Sequence, residues 1–543
     1  MDLSFRKSLL AGSACMVLGS LALIGSVGEV RAADVTPSQA AALEGQVKEW
    51  VSGLLGIPVT GPVQITAAGD HFDLTSSTIY RKADGVTPAR ATATARQQDD
   101  GTWSIDHAKL DTPLQFTLNV PTPPGQASDP KLPGTSQRTT YVIDLKGQDG
   151  HIAWDPSFTK PSEFVSSVQG VTVHVDGGPI GQESTIGPIQ SMISLRPAGP
   201  DRVDVKLDGT IQDYRIQAQT ENGPLQMVMG RVLVKSAMNG VSRGRAVTIL
   251  QTLAAFGATA MNAPAMAGQP SATPPKLSPE AVRALLGALQ DFASDFSLDE
   301  TLDGLTVNAQ GVDVGIEQLK IGMTARSATG MLDAGLDLGM QGLTLPGLPL
   351  GDMAALIPKR VALHPVISGI SVAELMRLAT TASEKRDPAP EDIAALFSHG
   401  GITGGLDSMT VEVGGAVFTG RGKVVATAPS PDAIAGTAHI EAAGLDDLIQ
   451  KMSAMPAMAQ ALPVLALAKG LGKVVDNRVV WDLVYKDGKA LVNNVDLSAM
   501  GGSSAPPAAA VVPPSVRQPQ PDTNSRNGAR KAPIPSQIPS WGR

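Results

Sequence analysis

The chain contains 543 residues, of which 42% are hydrophobic, 17% charged and only 3% aromatic. Its formal net charge of −8 argues against nucleic acid as a partner, because a nucleic-acid-binding surface carries a basic excess. The 57 glycines and the scarcity of charge are typical of β-sheet proteins and argue against a coiled coil or a wholly disordered chain.

The first 32 residues have the pattern of a signal peptide. Arg6 and Lys7 precede an apolar stretch, Leu9–Val27, and Val30–Ala32 supplies the cleavage pattern. An uncleaved anchor is the alternative for this segment. No later apolar segment is long enough to span a bilayer, so we expect a periplasmic, soluble or membrane-peripheral protein with no transmembrane span in the mature chain. The single cysteine, Cys15, lies inside the segment and leaves the mature chain without disulfides.

Residues 33–261 are predicted to form a first half, in which one helix is followed by a β-sheet. Thr36 as N-cap, Pro37 at the first helical position and Gln39 in a capping box open an amphipathic helix over Pro37–Leu55. Beyond residue 58, apolar and polar residues alternate as on half-buried strands. The predicted strands include Val63 and Ile65, Phe72 and Leu74, Ala91–Gln97, Thr102–Lys109, Leu114–Val120, Tyr141–Leu145, Val171–Val175, Ile189–Leu195, Val203–Leu207 and Thr210–Ala218.

Turn signals separate these strands. Asp208-Gly209 is predicted to join the last two strands as a two-residue hairpin, and Pro121–Pro133 and Gly178–Gly187 are predicted loops. The run Leu225–Lys235 leads toward a helix at Arg245–Met261.

A Pro/Ala-rich linker at 262–277 is predicted to precede a second helix-plus-sheet half at 278–500. A helix over Pro279–Phe296 opens it, with Ser278 as N-cap. The pieces Val63–Leu74 and Leu305–Ile316 share a pattern, which indicates a diverged internal duplication. The remaining predictions before the C-terminal unit are strands at Gly304–Ala309, Val312–Ile316, Leu319–Ala325, Met331–Leu338, Met409–Val413 and Val417–Ala426, and helices at Val372–Ser383 and Glu391–Phe397.

The C-terminal unit combines a strand at Ala435–Ala442, helices at Leu445–Met455 and Leu462–Leu471, and a hairpin. The hairpin strands, Val479–Lys486 and Lys489–Leu497, flank Asp487-Gly488, which predicts pairing of Lys486 with Lys489. Residues 501–543 are rich in proline and alanine and are predicted to be disordered.

The sharpest match to a catalytic motif is Gly240–Gly244, a G-x-S-x-G sequence that presents Ser242. In a serine hydrolase the strand runs directly into the first glycine, whereas Ser236–Asn239 separate it here from the predicted strand. A helix-entry turn is therefore the favoured interpretation. The seven histidines are scattered singly without metal-ligand spacing. We predict a non-enzymatic protein with no catalytic, cofactor-binding or metal-binding residues and no cofactor.

The pattern as a whole predicts an α+β fold in which hairpin strands form extended, twisted antiparallel sheets flanked by a few amphipathic helices. If the helices leave part of an inner face uncovered, an apolar groove able to hold acyl chains results. If they cover it fully, the apolar residues are only core. The sequence leaves both open, along with the oligomeric state.

The order of the C-terminal unit resembles bacterial envelope families. Ala435–Ile440, then Gly444–Ile449, two apolar helices and Val484–Asn493 are similar to the domain of unknown function 2125 family, and more loosely to the domain of unknown function 945 family and AsmA-like proteins. The resemblance implies a periplasmic β-rich protein of the cell envelope and offers no catalytic residues. We expect it to bind lipid acyl chains or an envelope protein in envelope maintenance. A structural or assembly scaffold without ligand is the first alternative, and a serine hydrolase using Ser242 is the second.

Overall fold

A computed structural model describes a chain of 24 strands with short helices between them. The described residues are 36–41, 43–45, 63–76, 90–121, 136–154, 161–176, 182–220, 223–249, 251–252, 279–309, 311–328, 330–383 and 388–497. The predicted signal peptide at 1–32, linker at 262–277 and tail at 501–543 lie outside them. Between Thr36 and Asp496 the described residues belong to one compact unit.

All the described strands belong to one sheet, and every pairing in it is antiparallel. The strands before the predicted linker are β1 Val63–Ala68, β2 His71–Ser76, β3 Ala91–Gln97, β4 Trp103–Leu110, β5 Leu114–Pro121, β6 Ser136–Lys146, β7 Asp149–Trp154, β8 Pro161–Val168, β9 Gly170–Asp176, β10 Gln182–Ile186, β11 Ile189–Gly199, β12 Arg202–Thr220 and β13 Gly223–Ser242. The strands after it are β14 Asp295–Ala309, β15 Val312–Ala328, β16 Met331–Thr344, β17 Arg360–Ser371, β18 Ile402–Val413, β19 Ala416–Ala426, β20 Ile434–Ala443, β21 Lys473–Val475, β22 Arg478–Lys486, β23 Lys489–Val492 and β24 Val495–Asp496.

The helices lie at the ends of strands. They are α1 Pro279–Leu289, α2 Val372–Ser383, α3 Pro390–Ala395, α4 Leu445–Ser453 and α5 Leu462–Leu471, and residues 37–41, 43–45, 243–249 and 251–252 are also helical. Three short 3-10 turns occupy Gly351–Leu356, Pro431–Ala433 and Pro456–Met458.

The sheet is a meander in which most strands pair with the next one along the chain. β20 instead pairs with β22, which has the short strands β21 and β23 on its other edge. In the first half several long strands are interrupted in the middle, so that β4 and β5, β6 and β7, β8 and β9, and β10 and β11 each act as two parts of one strand. Their halves pair accordingly: β4 with β7 and β5 with β6, then β8 with β11 and β9 with β10. β13 pairs with β14 over most of its length, so the sheet continues from before the predicted linker to after it.

The interruptions form one line across the sheet, which we call the crease. From β12 to β16 it passes Asp213, Gly230, Gly304, Glu317 and Gly342, each of which is skipped in the pairing register. Gly304 and Gly342 have φ of 65° and 67°, a left-handed conformation that glycine adopts without steric cost. Each strand gains one residue here, so its apolar side chains return to the same face beyond the bend.

Several local predictions are confirmed. The C-terminal hairpin has the predicted register, with Lys486 opposite Lys489, and Asp487 and Gly488 have φ of 51° and 74°, as the predicted turn type requires. At the other end, Thr36 and Gln39 form the capping box: the Thr36 N–H donates to Gln39 Oε1 at 2.7 Å and the Gln39 N–H donates to Thr36 Oγ1 at 3.4 Å.

Other predictions are wrong. Asp208 and Gly209 lie inside β12 rather than in a hairpin turn, because each has a strand partner on both sides. The helix predicted over Pro279–Phe296 ends at Leu289, and its last residues belong to β14. β8 and β17 were not predicted, and β10 occupies most of the predicted loop Gly178–Gly187.

Candidate functional site

One face of the sheet is apolar from β8 to β22. Side chains in a strand alternate between faces, so directly opposed residues share one. A single ladder of such residues is apolar at every position: Val168, Ile189, Ile211, Val232, Leu302, Leu319, Met340, Val361, Val411, Phe418, Ala442 and Val479. We call this side the apolar face and the other the polar face.

The N-terminal end of the apolar face is covered by the helical segment at 37–45. Ala40 and Leu43, which are 3% and 1% exposed, pack into a cluster with Phe72, Trp103 and Trp154. The large aromatic side chains are almost fully buried in this cluster. The end of the sheet is therefore closed.

The C-terminal end is covered in the same way by α4 and α5. Leu445, Leu448 and Met452 are buried at the helical spacing of α4 and pack on Ala442 and Val479 of the sheet. The Trp481 Nε1–H donates to the Ala468 carbonyl of α5 at 2.7 Å, which anchors that helix. The two helices therefore cover the first residues of β22.

A third apolar cluster lies at the crease and consists only of strand residues. Met227 and Met229 on one side of the crease are buried with Val232 and Leu302 on the other. The apolar face is therefore continuous across the crease.

Between these covered regions the apolar face is open in the part of the chain that the structure describes. Met323, Leu338, Ile367 and Val424 are 42%, 37%, 38% and 48% exposed, and all four lie on the apolar face of β15 to β19. We call these four residues the open patch. Exposed apolar side chains that cluster in this way mark binding surfaces.

Small residues form the floor around the open patch. Gly404 lies between Ile367 and Val424 in the pairing register, and a Cβ at this position would meet no atom within 4 Å. Gly422 and Gly436 continue the small-residue floor onto β19 and β20. Of these three glycines, Gly404 alone has open space above it, since a Cβ at Gly422 or Gly436 would lie 3.0 Å from a side chain of the neighbouring strand.

One carboxyl group stands on the apolar face. Glu300 of β14 lies opposite Val234 of β13 and Ile321 of β15, with Leu298 and Leu302 as its neighbours on the same side of β14. Burial raises the pKa of the Glu300 carboxyl, because the apolar surroundings disfavour its charged form.

A second exposed apolar surface lies on the C-terminal helix and the strand that follows it. Val464 and Leu467 of α5 are 66% and 55% exposed, and Val474 and Val475 of β21 are 70% and 50% exposed. These values exceed those of the open patch, so this surface is the more accessible of the two.

The polar face carries a row of charged residues. Lys235, Asp299 and Asp337 lie at one level of β13, β14 and β16, separated by Gly322 on β15. His364 Nδ1 contacts Asp337, and its Nε2 lies 3.9 Å from Asp407. The row places the charges away from the apolar face.

The row ends in a histidine between two carboxylates. His439 Nδ1 lies 2.7 Å from Asp482 Oδ1, and its Nε2 lies 3.1 Å from Glu441 Oε1. Hydrogen bonds to Asp482 and Glu441 raise the pKa of His439. The hydrogen bond from His439 and that from Arg478 hold the pKa of Glu441 below its usual value.

Ser242 lies at the helix entry that the sequence favoured. β13 runs through Gly240 to Ser242, so the predicted gap between strand and motif is wrong. Ser242 Oγ donates to Asp201 Oδ2 at 3.3 Å and accepts a hydrogen bond from the Arg245 N–H at 3.4 Å. Within the described residues these two contacts involve no histidine, and His364 and His439 contact acidic groups instead.

Two further findings concern metal ions and membrane-spanning helices. In the described ranges, no group of three or more His, Cys, Asp or Glu side chains is placed to hold a metal ion. No helix of the described part is long and apolar enough to cross a membrane.

No protein-family model, curated protein or solved structure matches the chain. The resemblance to the envelope families thus stays a prediction. The geometry of this chain is therefore the basis for its function. The open patch is its most distinctive feature. The alternation of apolar residues predicts the apolar face but not which part of that face stays uncovered.

Proposed function

We propose that the protein is an exported, non-enzymatic protein of the cell envelope that holds lipid acyl chains on the open patch. The observation that carries the proposal is the exposure of Met323, Leu338, Ile367 and Val424 between two ends that helices cover. An apolar chain that covers this patch removes it from water, which is favourable by roughly 25 cal/mol for each Å² of apolar surface buried.

The chemistry of the patch favours an acyl chain over a peptide. A peptide brings N–H and C=O groups that need hydrogen-bond partners. The backbone around Ile367 and Gly404 is already paired within the sheet, and the side chains there are apolar. An acyl chain has no hydrogen-bonding groups, so it can cover this surface without leaving polar groups unpaired.

The exposed side chains of α5 and β21 support the membrane-peripheral part of the proposal. Val464 and Leu467 project from a helix whose last turn contains Lys469, and Lys473 precedes Val474. Apolar side chains next to lysines are typical of segments that lie on a lipid surface. Such a location brings the open patch close to a source of acyl chains.

The test is to express the full chain with export in a bacterium, purify it from the periplasmic fraction and identify the lipids in its organic extract by mass spectrometry. We expect a lipid with an acyl chain at about one molecule per protein. A clean extract from folded protein would contradict the proposal and favour the scaffold, for which pull-down of partners is the next measurement.

The hydrolase alternative has its own test. A fluorophosphonate probe would label Ser242 if the serine were an activated nucleophile, and Ser242→Ala would abolish the label. The hydrogen bond from Ser242 Oγ to Asp201 and the capping contact with Arg245 support a structural role instead. We therefore expect no labelling of the folded protein.

A further inference from the structure

Glu300 places a carboxyl group among the apolar side chains of the apolar face. By the alternation of side chains, the cations of the neighbouring strands, such as Arg231, Lys235 and Lys320, lie on the polar face. Other carboxylates of these strands have partners there: Asp303 accepts from Arg231 Nη2 at 2.6 Å, for example. Glu300 thus stands alone as a charge among apolar side chains in this part of the described sheet.

The cost of this arrangement is visible in the structure. Burial raises the pKa of Glu300, and within the described residues no ion pair or hydrogen bond offsets it. Glu300 is half-buried, so water still reaches the carboxylate in the empty protein. A molecule that covered the apolar face would remove that water, and the carboxylate would then stay ionised only if the molecule itself supplied a donor or an opposite charge.

Glu300 borders the open patch. It lies opposite Ile321, which in turn lies opposite the exposed Leu338, and Met323 is two residues along β15 from Ile321. Neighbouring strands are about 4.8 Å apart, so Glu300 is roughly 10 Å from Leu338 across the sheet. A single amphiphile reaches both positions.

We propose that Glu300 binds the polar head of an amphiphile whose chain covers the open patch, and that this head is cationic, a primary ammonium. An ionised carboxylate accepts hydrogen bonds and does not donate them, so it rejects an anionic head and favours an ammonium, which brings three donors and the opposite charge. The inference rests on the proposed binding of acyl chains and adds the class of head group.

The experiment compares three amphiphiles of equal chain length: dodecylamine, dodecanol and dodecanoate. Each displaces the apolar fluorescent probe N-phenyl-1-naphthylamine from the full-length protein at pH 7, below the critical micelle concentrations. We expect dodecylamine to displace the probe at a concentration about tenfold or more below that of dodecanoate, as a charge-assisted hydrogen bond implies.

Two variants test whether Glu300 causes the preference for an ammonium head. Glu300→Gln keeps the size of the side chain and removes its charge, and we expect it to bring dodecylamine to within about twofold of dodecanol. Glu412→Gln is the matched control, since Glu412 lies on the polar face of β18, and it should leave the preference unchanged. The control separates a specific contact from the general attraction of a cation to an acidic protein.

The outcomes distinguish the two proposals. Probe binding without a head-group preference, or a preference that persists in Glu300→Gln, overturns the role of Glu300 and leaves acyl binding in place. Absence of probe binding to folded protein overturns both. The comparison of the three amphiphiles on the unaltered protein needs no variant, so a loss of folding in Glu300→Gln would not remove the test.

Discussion

Replacing two residues of the open patch by threonine should weaken ligand binding without unfolding the protein. In the double variant Leu338→Thr/Ile367→Thr, the β-branched threonines keep the strand geometry but lose most of the apolar surface. More than a third of each side chain is exposed in the ligand-free protein, so we expect the protein to stay folded with a modest fall in melting temperature.

The size of the effect follows from the exposed fractions, 37% for Leu338 and 38% for Ile367. Complete burial of such a side chain is worth roughly 1.5–3 kcal/mol, so the exposed part retains about 0.5–1 kcal/mol that a ligand can gain. Two residues together contribute roughly 1–2 kcal/mol, which raises Kd about 5- to 30-fold. The retained methyl groups of threonine make this an upper bound.

The chain contains a matched control. Val165 and Met192 lie directly opposite each other on β8 and β11 and are 36% and 40% exposed, but they face the other side of the sheet. Fluorescence titration with N-phenyl-1-naphthylamine should show weaker binding for the patch variant and unchanged binding for Val165→Thr/Met192→Thr. Equal effects of the two double variants would refute the location of the site, because only general hydrophobicity would then matter.

Three further predictions concern stability. Leu448→Ala empties part of the core under α4 and should lower the free energy of unfolding by about 2–5 kcal/mol, measured by urea denaturation; a loss below about 1 kcal/mol would contradict the close packing. Gly342→Ala should lower the free energy of unfolding by at least about 1–2 kcal/mol, since φ is 67° and a Cβ would lie 2.5 Å from Cβ of Glu317. The control Gly287→Ala in α1 has open space around it and should be neutral or stabilising. Asp482→Asn removes a group that raises the pKa of His439, so its destabilising effect should be largest below about pH 6.5 and should fade as the pH rises through the folded-state pKa; an effect that grew with pH would have the wrong sign.

Two identical turn signals had opposite outcomes. Asp487-Gly488 forms the hairpin turn that the sequence predicts, with positive φ at both residues. Asp208-Gly209 instead continues β12, because Asp208 lies between Met192 and Lys235 and both neighbouring strands supply pairing partners. The local signal is the same, and only the long-range pairing decides between the two structures.

The apolar face was predictable and its uncovered part was not. Alternation along β15 and β16 identifies the inward residues Met323 and Leu338 without any coordinates. Their exposure depends on where helices such as α4 pack, and packing between distant elements leaves no local pattern. Glu300 shows the same limit: between Asp299 and Thr301 in the sequence it resembles any surface acid, and only the register with Val234 places it on the apolar face.

The meander has a consequence for how the chain acquires its structure. Most strands pair with a strand that is close to them in the chain, so most steps close a short loop and lose little entropy. The exceptions are the pairings of β13 with β14, β17 with β18 and β20 with β22, whose connections contain helices. β2 can pair with β1, and β3 with β2, before the C-terminal strands have been synthesised. A chain that emerges N-terminus first can therefore extend most of its sheet strand by strand.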